Sequence, residues 1–159
     1  AAILNPSTDE LFTAVRGGGL FLNGARVTLS LPHEFDPVIM VGAGEFRSDR
    51  WSMLAETTPC RPMYSIANAL ALVAAARVQA AFTMEPENEW DVAAGVLLIE
   101  ESGGAISDAD GKPFVFNQPT PRFRGVIAVA ATSDKDLRPN LQSHAEQARS
   151  QPERKQTTP

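Results

Sequence analysis

Four carboxylates fall within seven residues at Glu85-Pro86-Glu87-Asn88-Glu89-Trp90-Asp91, in a chain whose charged content is only 21%. Such a cluster either binds something positive or marks the first turn of a helix, where the macrodipole favours negative charge by about 0.3–1 kcal/mol per residue. Asp91 stands apart by its context. Trp90 precedes it and Val92-Ala93-Ala94-Gly95 follows, small residues that let a backbone or a ligand come close. A carboxylate held in such a place suits a hard cation such as Mg²⁺, which takes oxygen ligands and binds through carboxylates together with substrate phosphate.

The other chemically capable residues read as structural. Ser65 has no histidine partner in view and is best explained as a helix N-cap. His33 and His144 are isolated and are expected to face solvent. Gly17-Gly18-Gly19 lacks the lysine and helix that follow a phosphate loop, so a turn is expected. Arg61 is equally suited to an anion or to a neighbouring carboxylate. Cys60, the one cysteine, is expected to be buried or inert. It cannot form an internal disulfide, which suits a reducing compartment, and the expectation is a cytoplasmic protein.

These residues need elements to carry them. Ala1 to Leu4, Leu11 to Val15 and Leu20 to Leu22 read as antiparallel strands, with Asn23-Gly24 as a hairpin turn and Val27 to Leu29 running back. From about residue 36 strands and helices alternate. Val38 to Val41 is an apolar run of the kind buried on both faces, and a helix is expected over Phe46 to Glu56. A buried helix runs from Ser65 to about Val78, then a strand from Ala80 to Met84. The next helix starts near Trp90 and reaches Ser102, with Val92, Val96 and Ile99 on one stripe and Gly103-Gly104 as its stop. Ile106 and Pro113 to Phe116 read as a hairpin, Val126 to Ala131 as a last buried strand, and a final helix extends from about Asp134 to Arg149.

With 159 residues, 43% of them hydrophobic, the chain can bury a proper core. No apolar run approaches the roughly 18 residues of a membrane span. The formal net charge of −5 argues against nucleic-acid binding, which calls for a basic face. Small anions, with or without a bridging metal, remain open as ligands.

The segments Asn88-Glu89-Trp90-Asp91-Val92-Ala93-Ala94-Gly95 and Glu100-Glu101-Ser102-Gly103-Gly104 resemble the Trp-Asp-x-Ala-Ala-Gly and Glu-Ala-Gly-Gly signature of the inositol monophosphatase family. Asp9 to Ala14 with Gly17 to Gly24 is similar to the strands that close the family's amino-terminal domain. Arg61-Pro62-Met63-Tyr64-Ser65 resembles the segment on the substrate side. The resemblance, covering residues 1 to about 133, implies an α/β protein (α+β overall): terminal strands of an antiparallel sheet, then a layered α/β/α domain with a mixed sheet. Residues 1–33 would be the last strands of an amino-terminal metal-binding domain, 34–149 a carboxy-terminal α/β domain, and 150–159 a disordered tail.

That family hydrolyses phosphate monoesters with two or three Mg²⁺ ions that activate water. The resemblance makes Asp91 a metal ligand, Glu85 a substrate-hydroxyl contact with Glu87 or Glu89 as substitutes, Ser65 and Ile66 substrate contacts, and Arg61 an anion contact. Glu101 receives no ligand role. The remaining metal ligands of the family lie in an upstream glutamate pair and an Asp-Pro-x-Asp-Gly-Thr motif, both absent from this sequence, so no catalytic residue is assigned within it. The expectation is a carboxy-terminal portion, inactive alone, pairing with an amino-terminal half or forming a homo-oligomer. Tyr64 stands where the family usually has glycine, which narrows the pocket and weakens an inositol preference. The alternatives are a nucleotide 3'-phosphatase or fructose-1,6-bisphosphatase of the same fold, or a non-catalytic module that pairs with another chain.

Overall fold

A computed structural model of the chain describes residues 1–29, 38–47, 58–133 and 135–150. Strands β1 (Ala2–Asn5), β2 (Glu10–Val15), β3 (Gly19–Leu22) and β4 (Ala25–Arg26) form an antiparallel sheet in that order. Asn23 and Gly24 join β3 to β4 with φ of 49° and 80°, the paired positive values of a tight hairpin turn. Alternation gives this sheet two different faces. Phe12, Ala14 and Leu20 are buried on the inner one, whereas Leu4, Leu11 and Val15 point outward, 58%, 39% and 73% exposed.

The chain continues through β5 (Ile39–Gly42), α1 (Ala43–Phe46), β6 (Cys60–Met63), α2 (Ile66–Ala74), β7 (Ala80–Thr83), β8 (Glu87–Asn88) and α3 (Glu89–Glu101). It ends through β9 (Ala105–Ser107), β10 (Arg122–Phe123), β11 (Val126–Val129) and α4 (Leu137–Ser150). Five strands make a mixed sheet in the order β6-β5-β7-β11-β9, and β8 pairs with β10. β5 is parallel to both β6 and β7, while β11 is antiparallel to β7 and β9. The apolar runs in β7 and β11 follow from burial on both faces.

Helices α2 and α3 lie between the two sheets. Phe12, Ala14 and Leu20 share one hydrophobic cluster with Leu70, Val92, Ile99, Ala81 and Val126. The helices approach closely at Gly95, where a Cβ would stand 2.4 Å from Leu70 Cδ1. On the far face of the mixed sheet, Leu141 and Ala145 of α4 pack with Ile39, Val41, Phe82 and Ile127. The order of layers is sheet, helix pair, sheet, helix.

Ser65 caps α2, its hydroxyl accepting from the Asn68 N–H at 3.3 Å. At the other end Arg77 N–H bonds Leu72 O and Ala76 N–H bonds Val73 O, both at 2.9 Å. This two-bond cap places Ala76 at φ 53° and stops the helix at Ala74 rather than near Val78. α3 ends in the same motif with the usual glycine, as Gly103 N–H bonds Glu100 O and Gly104 N–H bonds Ile99 O.

Three more expectations are corrected. Residues 113–116 form no strand, and β9 pairs with β11 instead. Their apolar alternation serves a cluster in which the Phe114 and Phe123 rings lie 4.5 Å apart and Phe116 and Phe123 5.5 Å apart. His144 does not face solvent but is half-buried, edge-on to Phe82 at 6.4 Å between ring centroids. The helix expected to begin at Phe46 is preceded by α1, which ends there. Its continuation past residue 47, His33, the domain boundary at 33/34 and the tail 151–159 lie outside the described residues. Among the described residues no helix is long and apolar enough to cross a membrane.

Candidate functional site

The carboxyl ends of the parallel strands β5, β6 and β7 open on one side of the mixed sheet, which is where α/β sheets place their ligands. A cleft of about 410 Å³ lies there. Gly42, Ala43 and Gly44 at the end of β5 form part of its lining, Met63 to Ala67 at the end of β6 another part, and Thr83, Glu85, Glu87 and Asp91 the remainder.

Asp91 sits in the first turn of α3, half-buried. Its Oδ2 accepts from Asn88 Nδ2 at 2.9 Å, so the preceding asparagine fixes the carboxylate instead of capping the helix. Burial raises the Glu87 carboxyl above its ordinary value of 4.5, and the charges of Asp91, Glu45 and Glu85 push it the same way. Glu85 is exposed, and its N–H donates to Thr83 Oγ1 at 3.0 Å. Tyr64, 84% exposed, also lines the cleft.

The structure therefore brings together Asp91, Glu85, Glu87, Ser65 and Ile66. Arg61 is exposed on β6 and is not among the lining residues. Glu89, one substitute for Glu85, is engaged elsewhere: its carboxylate accepts from Asn117 N–H at 2.8 Å and Gln118 N–H at 3.0 Å, tying down the loop after the phenylalanine cluster. Cys60 is half-buried with its thiol pushed up by burial, and Sγ donates to Thr58 O.

Glu101 takes part in the fold although it receives no ligand role. Its two carboxylate oxygens accept from Gly17 N–H at 2.7 Å and Gly19 N–H at 2.8 Å, and these bonds lead in lowering its pKa. The glycine turn is thus an anion cradle filled from within the chain. Sequence reading also missed Glu45, a buried carboxylate behind the cleft. The available signal was Gly42-Ala43-Gly44, small residues at the carboxyl end of a buried strand.

The described lining offers carboxylate oxygens and no basic side chain, a donor set that fits a hard cation. Among the described residues no group of three acidic, histidine or cysteine side chains converges to hold a metal ion alone. These residues could supply part of a coordination shell, and Asp91 is the carboxylate among them that Asn88 holds in place.

The fold and the cleft define a layered α/β protein with an acidic site at the ends of its parallel strands. Residues 1–150 match the inositol monophosphatase family, and the chain belongs to that family. It is 40% identical over 118 residues to an inositol-1-monophosphatase of Mesorhizobium japonicum, covering 69% of this chain and 44% of that protein. It is also 36% identical over 120 residues to the Nus factor SuhB of Escherichia coli, covering 70% and 45%. The chain spans less than half the length of these curated relatives. Among solved structures it resembles the Thermotoga maritima IMPase, with TM-score 0.75, 24% identity, 94% of this chain and 56% of that one. The extragenic suppressor protein suhB of Bartonella henselae gives TM-score 0.68 at 32% identity, over 91% and 57%.

Proposed function

We propose that this chain is the carboxy-terminal part of a Mg²⁺-dependent phosphomonoesterase acting on inositol monophosphate or a related sugar phosphate. The observation that supports it is Asp91, half-buried, oriented by Asn88 and set among carboxylates in the cleft. Mg²⁺, when bound, supplies Lewis-acid stabilisation of phosphoryl oxygens and a water of lowered pKa. The chain's own residues do the rest. Asp91 presents a carboxylate oxygen in fixed orientation. Glu87, disfavoured as an anion by burial and by its acidic neighbours, gains from a nearby cation. Ser65 and Ile66 open α2, where the helix dipole favours the substrate's phosphate. Glu85, exposed, accepts from a sugar or cyclitol hydroxyl.

In this reading residues 1–33 belong to an amino-terminal metal-binding domain and 34–149 to the carboxy-terminal one, and the other metal ligands come from outside the described residues. The 159-residue chain alone is then expected to be inactive. The test is a substrate panel of inositol, sugar and nucleotide phosphates, run on the chain alone and on a polypeptide extended by a family amino-terminal half. Chelator-sensitive turnover by the extended protein, lost in Asp91→Asn, supports the proposal. Turnover that survives Asp91→Asn overturns it.

A second reading, a module that pairs with another chain, draws on the exposed outer face of Leu4, Leu11 and Val15, since apolar sheet faces recruit partners. It predicts an oligomer. A stable monomer with a sharp thermal transition by light scattering counts against it.

A further inference from the structure

The chain leaves β7 at Thr83 and within four residues places both Glu85 and Glu87 in the cleft lining. A short connection of this kind needs its backbone held if its side chains are to keep one geometry. Both amides at its start are held: Met84 N–H donates to Glu45 Oε1 at 2.7 Å, and Glu85 N–H to Thr83 Oγ1 at 3.0 Å. The opposite side is closed by Gly125, at φ 74°, where a Cβ would fall 2.3 Å from Thr83 O and 2.9 Å from Met84 Cα. Glu45 itself has little room. A Cβ on Gly42 would meet its Oε2 at 2.5 Å, and the residue is only 9% exposed.

Removing a carboxylate from water is costly unless strong hydrogen bonds are made to it, and a backbone N–H to a carboxylate is one of the strong kind. Glu45 is not among the lining residues; it reaches the cleft through its charge, which acts on Glu87, and through its bond to the Met84 N–H. We infer that Glu45 is a positioning residue, whose bond to the Met84 N–H sets where Glu85 and Glu87 stand relative to Asp91 and so governs cation binding in the cleft. This rests on the cleft being a cation site.

The probe is Mn²⁺ added to the polypeptide extended by a family amino-terminal half, read as paramagnetic broadening of backbone amide signals at Glu85, Glu87 and Asp91, alongside hydrogen exchange of the Met84 amide. Glu45→Ala should speed Met84 exchange about tenfold or more, the scale of one lost charge-assisted bond, and reduce the broadening by a similar factor. Glu45→Gln keeps an acceptor oxygen and should restore both. Glu45→Asp, one methylene shorter, should behave like the alanine variant while keeping the charge, and covers the case in which Glu45→Ala does not fold. Unchanged exchange and broadening in Glu45→Asp, or a glutamine variant as damaged as the aspartate one, overturns the inference. Asp91→Asn separates the two claims: if broadening persists there, the cation reading fails, while the exchange arm still reports on Glu45.

Discussion

At the first turn of α3, Asp91 and the adjoining Glu87 share a cleft with Glu85 and lie near Glu45; at its last turn, Glu101 rests against the N–H groups of Gly17 and Gly19. The macrodipole alone favours carboxylates at the first turn and opposes them at the last. For the pair Glu101 and Glu87 that ranking is reversed. At the last turn two backbone donors, together with Arg16 lying 3.5 Å from Glu100, lower the Glu101 pKa and meet the charge from within. Just ahead of the first turn, burial foremost and then the charges of Asp91, Glu45 and Glu85 raise the pKa of Glu87. A weak field from the helix end is outweighed by two backbone donors at Glu101 and by burial and like charges at Glu87. The end left in electrostatic need is the one in the cleft.

The largest expected effect breaks the first-turn side of this contrast. In the polypeptide extended by an amino-terminal half, Asp91→Asn should lower Mg²⁺ affinity and turnover by about 100-fold or more, since even outer-shell partners of a metal cost about 10–100-fold. Circular dichroism should show the fold unchanged. Titration of Mg²⁺ against activity checks it, and near-full activity at limiting metal would return Asp91 to an ordinary first-turn acid.

Next in size is the rod that joins the two ends. Gly95→Ala places a Cβ 2.4 Å from Leu70 Cδ1 and should destabilise the chain by about 1–3 kcal/mol in urea unfolding, as overpacking does. An unchanged midpoint would show that α2 and α3 can slide apart and that their ends are not rigidly linked.

The pH response sharpens the comparison because the two ends have opposite signs. Glu101, with its folded pKa lowered, contributes stability that is present above 4.5 and lost as pH falls through the lowered value. Glu87, with its folded pKa raised, contributes stability that is fully present below 4.5 and lost as pH rises through the raised value. Metal-free Glu101→Gln should therefore melt below the parent at neutral pH and match it in acid. Glu87→Gln should melt above the parent at neutral pH and gain less from added Mg²⁺. Melting curves at several pH values that move together for both variants would remove the contrast.

The smallest effect concerns a third helix end. Ala76 adopts φ 53° at the stop of α2, where α3 uses Gly103 at 80°. Ala76→Gly should stabilise the chain by about 0.5 kcal/mol, since glycine meets that geometry without the Cβ penalty. A drop in the unfolding midpoint would mean that the buried alanine methyl outweighs the strain.

Features set by neighbouring residues were legible in the sequence. Asn23-Gly24 marked a hairpin, Gly103 a helix stop, and the Val92, Val96 and Ile99 stripe a buried face, because each depends on local geometry. The Trp-Asp context singled out Asp91, and it lines one cleft together with Ser65, Ile66 and Glu85. What escaped notice depends on contacts far along the chain. Glu101 finds its donors at Gly17 and Gly19, and Glu45 finds its own at Met84. No periodicity reports such partners. Residues 113–116 show the reverse error, in which alternating apolar residues imitate a strand while packing as an aromatic cluster.

The pairing of β11 with β7 has a kinetic consequence. Val126 lies opposite Thr83, and Gly125 leans on the same backbone, so the connection carrying Glu85 and Glu87 is closed by a strand from far down the chain. Long loops must be ordered before that contact repays them, which delays it relative to the local pairings around β1 to β4. A nascent chain would thus hold its helices and first hairpins before its acidic cleft took shape.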